Sequence, residues 1–272
     1  MPTTIDSATA AKLAARLEAS ERSRVQIRPF SIEYPDFTFD DAYMVQEEWM
    51  KLKLADPARS IAGHKIGLTS RAMQMSAGID TPDSGVLLDN MLAWDGVEFS
   101  MDQLIVPKVE VELGFMLGKD LSGPNCTIFD VLSAAEYVVP ALEIIDSRFY
   151  LRDEETGLGR KVVDTISDNA CNAYVVIGGC PTKPSDIDLR WAGAILYQNA
   201  VIQESGIAAA VLGHPANGIS WLANRMALTN GDVLKAGQFV LAGSFTRPVF
   251  AQKGDVFHVD YGKLGAVTCT FR

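Results

Sequence analysis

Apolar residues recur at helical spacing from Ser7 to Arg24, with Ala11, Leu13, Ala14 and Leu17 on one side and Lys12, Arg16 and Glu18 on the other. A second helix is predicted from Thr38, where Thr38 and Asp41 have the spacing of a capping box and Asp40 adds charge that suits a helix N-terminus. Ala42, Val45, Trp49 and Leu52 form its apolar stripe, Lys51 and Lys53 suit its end, and Pro57 stops it. Residues 60–69 (SIAGHKIGLT) read as a strand entering a Gly-rich turn, then a short helix from Ser70 to Gly78 and a polar, Pro-containing turn from Asp80 to Gly85. Beyond Val97 period-two alternation between Gly and Pro turns predicts a mainly β second half. Helical insertions are expected at Thr127–Val138, opened by a Thr127/Asp130 pair, and at Ala216–Leu228. Lys235-Ala-Gly237 and Lys253-Gly254-Asp255 look like hairpin turns before Phe239–Ala242 and Val256–Val259, which suggests a closed or rolled sheet.

This pattern predicts an α+β fold, with residues 1–60 a helical region packed on a β-rich unit of residues 61–272 and only a soft boundary between them. With 48% hydrophobic residues the 272-residue chain has material for a sizeable core. Its formal charge of −10 argues against nucleic acid or an anionic membrane as partner. No apolar run approaches the ~20 residues that span a bilayer, and the N-terminus lacks a basic start and an apolar h-region, so a cytoplasmic location is expected. Cys126, Cys171, Cys180 and Cys269 show no metal-type spacing and are expected to be buried and reduced.

The most informative stretch is VPKVEVEL at 106–113. Val109, Val111 and Leu113 alternate with Glu110 and Glu112, so on a strand both carboxylates share one face. An ordinary half-exposed strand has the same pattern, but Glu is a poor strand former and two like charges on one face repel unless a cation lies between them. Glu143, in the apolar run YVVPALEIID, needs a positive partner. That partner is either an Arg or Lys side chain, or a hard Mg²⁺ or Mn²⁺ shared by the three acids.

Lys65, flanked by His64 and glycines in GHKIG, is either a solvated turn residue or a partly desolvated ammonium able to steady an enolate or move a proton. Asp83, Ser167, Asp168, Ser244 and Thr246 are weak signals alone, because loops are rich in such residues. Arg247 is the only cation between Phe239 and Phe250; it either pairs with a structural acid such as Asp146 or Asp255 or receives an anionic ligand. His214 and His258 have no triad-like partners, and neither GxGxxG after a strand nor a P-loop occurs.

Taken in order, GHKIGLTS, TPDSG, VPKVEVEL, SGPNCTIFDV, YVVPALEIID, TISDNA, LGHPANG and GSFTRPV resemble the fumarylacetoacetate-hydrolase-like superfamily, and within it the hydratase/decarboxylase branch. The resemblance implies a mixed β-roll with an N-terminal helical region, a homo-oligomer, and Mg²⁺ or Mn²⁺ held by Glu110, Glu112 and Glu143. It implies active-site roles for Lys65 and Asp83, and substrate contacts from His64, Ser167, Ser244, Thr246 and Arg247. The implied reaction is addition of water to a 2-hydroxy-2,4-dienoate, a seven-carbon diacid of homoprotocatechuate breakdown, with a pathway decarboxylase or aldolase as possible associate. Two other readings are kept: decarboxylation of a 2-oxo diacid such as 4-oxalocrotonate, and a non-catalytic subunit of a pathway complex. An acylpyruvate-type hydrolase is a more distant analogy.

Overall fold

A computed structural model of the chain describes residues 3–272, without the side chains of Ala72, Ser76 and Ala77. The first two residues of the 1–60 region therefore lie outside the described residues. Helix α1 spans Ser7–Ser23, α2 Phe30–Glu33 and α3 Phe39–Leu54. Asp6 caps α1 by accepting from the Thr9 amide, and Arg24 ends it with a left-handed backbone. Thr38 and Asp41 close the expected capping box on α3. It ends at Leu54, with the Ala55 amide still bonded to the Lys51 carbonyl, before Pro57.

The apolar stripes of α1 and α3 meet: Leu13, Ala14, Leu17, Val45 and Trp49 form one buried cluster with Phe30, Phe149, Val163 and Ile166. The last three of these apolar anchors, Phe149, Val163 and Ile166, belong to the β-rich part. Large buried side chains such as these contribute roughly 1.5–3 kcal/mol each, which ties the helices to the sheet.

The first five strands are β1 Ile61–Gly67, β2 Asp83–Leu88, β3 Leu92–Trp94, β4 Val97–Phe99 and β5 Lys108–Leu117. Next come β6 Ala135–Ile145, β7 Asn172–Ile177, β8 Gly193–Gln198 and β9 Val201–Ile207. The remainder are β10 Phe239–Leu241, β11 Val249–Phe250, β12 Val256–Asp260 and β13 Ala266–Phe271. They form two sheets, one ordered β2-β1-β10-β5-β6-β7-β3 with β11 also on β5, the other ordered β4-β13-β12-β8-β9. Helix α4 is Arg71–Ala77, α5 Ile128–Ala134, α6 Val162–Ser167 and α7 Pro215–Thr229. Phe257, Val259, Val267, Cys269 and Phe271 of the smaller sheet share a core with Val109, Val111 and Leu113 on one face of β5.

Four local expectations are corrected. Residues 83–85 belong to strand β2 rather than to a turn, because Asp83 to Leu88 pair with β1. The helix opened by Thr127 ends at Ala134, where the β-rich sequence YVVPALEII takes over as β6. Neither Lys-x-Gly turn closes a hairpin: β10 lies between β1 and β5, and β12 pairs with β13 and β8. Cys180 is exposed, whereas Cys126, Cys171 and Cys269 are buried and free.

Candidate active site and metal centre

Strand β5 occupies the middle of the larger sheet, between β10 and β6. Its alternation sends Val109, Val111 and Leu113 into the shared core and turns Lys108, Glu110 and Glu112 to the opposite face. Glu110 stands directly opposite Glu143 in the β5–β6 register, where Cβ atoms come within about 5 Å. One carboxylate oxygen from each of Glu110, Glu112 and Glu143 lies within 4.8 Å of the others. Glu143 and Glu112 are buried, 0% and 1% exposed, so their mutual repulsion is not relieved by water.

The protein supplies part of the compensation. Lys65, on β1, brings Nζ to 3.1 Å from Glu143 Oε1. Asn172 Nδ2 donates to the same oxygen at 2.9 Å. Glu143 Oε2 and Asn172 Oδ1 are buried with no hydrogen-bond partner. Glu112 Oε2 accepts from the Gly243 amide at 2.8 Å, and Tyr261 fixes the strands behind it by donating to the carbonyls of Glu112 and Ala141. Gly243 has φ +120°, and a Cβ there would meet Thr69 Oγ1 at 2.2 Å, so only glycine serves at this contact.

Asp83 faces the same side as Lys65, in register with Gly67. A Cβ on Gly67 would lie 2.2 Å from Asp83 Oδ1 and 3.4 Å from Lys65 Nζ, which explains the glycine of GHKIG. Both Asp83 carboxyl oxygens are buried without a hydrogen-bond partner.

These contacts set the electrostatics. Burial opposes charge on Lys65, but Glu143, Asp83, Glu110 and Glu112 outweigh it and hold the ammonium above the usual lysine range. Burial, reinforced by Glu143, lifts Glu110 to about 7 and Glu112 well above an ordinary carboxyl. Burial also raises Asp83, with Lys65 opposing. One ammonium does not neutralise this many acids. An all-oxygen donor set with an unpartnered, buried Glu143 oxygen suits a hard divalent cation, so the residues fit Mg²⁺ or Mn²⁺.

The positive partner expected for Glu143 is thus Lys65, and the same carboxylate also joins the three-acid cluster. Other expected site residues lie differently. His64 alternates to the opposite face of β1, lining a cavity with Tyr43, Ser84 and Arg225, and burial lowers its pKa to about 4. Ser167 is fully buried in α6 and donates to the Val163 carbonyl. Ser244 accepts from the Thr246 amide in a local turn next to Gly243, and the Thr246 hydroxyl is buried without a partner. Arg247 is 81% exposed and pairs with Glu204 at 2.7 Å. Its expected structural partners, Asp146 and Asp255, accept other hydrogen bonds.

Asn172 gave no signal in the sequence. Its placement depends on Asn169, Ala170 and Cys171, all with positive φ, a costly run for non-glycine residues. Buried Arg148 holds this segment: Nε meets Asp168 Oδ1 at 2.5 Å, and Nη2 donates to the Asp168 carbonyl and to the Asn172 carbonyl.

The family model described as fumarylacetoacetate (FAA) hydrolase C-terminal matches residues 80–272. The chain belongs to the fumarylacetoacetate hydrolase family. Within this family it is 56% identical over 266 residues to an Escherichia coli 2-oxo-hept-4-ene-1,7-dioate hydratase, covering 98% of this chain and 99% of that protein. It is 36% identical over 259 residues to a 4-oxalocrotonate decarboxylase of Pseudomonas putida, covering 95% of each. Among solved structures, 4-oxalocrotonate decarboxylase from Pseudomonas putida G7, complexed with magnesium and adipate, matches with a TM-score of 0.93 over 100% of both chains at 34% identity. Among the described residues no helix is long and apolar enough to cross a membrane.

Proposed function

We infer that this chain is a Mg²⁺- or Mn²⁺-dependent hydratase that converts 2-oxohept-4-ene-1,7-dioate, or its dienol form, to 4-hydroxy-2-oxoheptane-1,7-dioate. The observation that carries this reading is the cluster of half-buried Glu110 with buried Glu112 and Glu143, and Lys65 and Asp83 beside it. The 56% identity to the hydratase, against 36% to the decarboxylase, favours hydration over loss of CO₂. Glu110, Glu112 and Glu143 would hold a divalent cation, which would supply Lewis acidity to the substrate when bound.

The chain's own groups do the rest. Lys65 keeps its proton through Glu143 and the neighbouring acids, and so presents an ammonium to negative charge developing on the substrate. Asp83, with two unpartnered oxygens and a raised pKa, is the group suited to exchange a proton with water or with the substrate carbon. The Gly243 amide keeps the Glu112 carboxylate from turning away, and the Tyr261 hydroxyl holds the Glu112 backbone carbonyl. We assign stabilisation of the developing negative charge to Lys65, and proton exchange at C5 and with water to Asp83. We propose a homo-oligomer, which light scattering of the purified protein tests.

The experiment offers the seven-carbon dienol diacid and 4-oxalocrotonate in parallel, with Mg²⁺. Consumption of the former at least ~10-fold faster is expected, and a preference for releasing CO₂ from the latter overturns the reading.

A further inference from the structure

A seven-carbon diacid whose C1 carboxylate sits at the glutamates carries a second carboxylate that needs its own cation. Arg247, the candidate from sequence, is solvent-exposed and already paired with Glu204. Two other cations flank the triad. Lys108 precedes Glu110 by two residues on the same face of β5 and lies over the Phe250 ring at 4.4 Å. Arg160, in the segment before α6, donates from Nη1 to the hydroxyl of Ser147 and to Cys171 Sγ. Among the described residues neither Lys108 nor Arg160 makes an ion pair with a carboxylate.

Arg160 also lines a cavity of about 440 Å³ whose other walls include Phe37, Phe39, Leu68, Ile79 and Leu151. Leu68, in that wall, lies in the chain between Gly67, beside Asp83, and Thr69, beside Gly243, and Arg160 meets Cys171, the neighbour of the Asn172 that donates to Glu143. An apolar wall ending in a guanidinium is complementary to a hydrocarbon segment ending in a carboxylate. The lengths agree. Two strand residues advance about 6.7 Å from Glu110 to Lys108, and six carbon–carbon bonds of about 1.5 Å in an extended zigzag span roughly 7–8 Å.

We propose that Arg160, assisted by Lys108, receives the distal carboxylate of the substrate and sets the preference for a dicarboxylate over a monocarboxylate. The inference rests on the hydratase reading for the orientation of the substrate. Arg160 is a specificity residue; its guanidinium forks onto the distal carboxylate and takes no part in proton transfer.

The test uses the Mg²⁺-loaded full chain with 2-hydroxyhepta-2,4-dienedioate and 2-hydroxypenta-2,4-dienoate as substrates, and calorimetric binding of the unreactive diacid adipate. Arg160→Met is expected to raise KM for the diacid by about 30-fold and weaken adipate binding similarly, with kcat and the monoacid parameters within about threefold. Arg160→Lys is expected to recover part of the loss, and Lys108→Met to cost about tenfold with the diacid only. Equal damage to both substrates, or lost diacid preference in Arg247→Met but not in Arg160→Met, overturns the proposal. If Arg160→Met fails to fold, Arg160→Lys and Lys108→Met decide. If the wild type turns over neither dienol, the hydratase reading fails, while adipate binding still scores Arg160 separately.

Discussion

Lys65 Nζ and Asn172 Nδ2 share one oxygen of Glu143, Oε1, at 3.1 and 2.9 Å, and leave its other oxygen, Oε2, buried with no partner. Glu143 is therefore half committed to the protein and half available to a cation. The ammonium and the metal are not alternatives, as they seem when the sequence is read alone. Both are needed because two further carboxylates face the same space.

Lys65→Met is expected to lower kcat by on the order of 10²-fold with the metal bound. Removing the ammonium that pairs with buried Glu143 also destabilises the metal-free protein by about 3–5 kcal/mol, and Mg²⁺ restores much of that. Thermal melts in chelator and in Mg²⁺, run beside the kinetics, separate the two effects. An unchanged kcat means that Lys65 serves packing alone.

Glu112→Gln keeps an acceptor for the Gly243 amide while deleting one ligand charge. The variant is expected to melt no lower than wild type in chelator, because a repelling charge is gone, and to require at least ~10-fold more Mg²⁺ for turnover. A Mg²⁺ titration of activity checks it; an unaltered requirement removes Glu112 from the ligand set.

Arg148→Met removes the guanidinium that meets Asp168 and the Asn172 carbonyl. Because it leaves a buried carboxylate unpaired beside three positive-φ residues, a loss of about 3–5 kcal/mol is expected in urea unfolding. Stability equal to wild type contradicts this role.

Burial works against the charge of Asp41, but hydrogen bonds from Thr38, Thr4 and Ile5 overcome it and bring the pKa from 3.8 to about 2. A folded-state pKa below the unfolded one means stability that is full above pH 3.8 and lost as pH falls through about 2. Compared with Asp41→Asn, the wild type is expected to hold an advantage of about 2 kcal/mol at pH 6 that disappears near pH 2. A pH-independent difference between the two contradicts the linkage.

Much of the site was readable because strand alternation is strict. Glu110 and Glu112 had to share a face, and Glu143 in an apolar run had to find compensation. Lys65 stood out through its glycines, whereas Asp83 was weak alone and gained a role only from the family resemblance; the pairing of β1 and β2, which presses Gly67 onto Asp83, shows why the two belong together. The same alternation tells against His64, which turns away from Lys65 on its strand. The placements of Arg160, Arg148 and Asn172 were not legible, since they arise from contacts between distant segments that no local spacing encodes. The helical region was clear from periodicity and capping. The order of the sheets was not, because short strands paired across the chain leave no local turn signature.

The most direct test of metal-dependent hydration is the mass of the product formed from the seven-carbon dienol diacid, with Mg²⁺ and with excess chelator. The predicted result is a product heavier by one water, formed only with the metal and accompanied by no CO₂. A product lighter by CO₂, or full turnover in chelator, contradicts it.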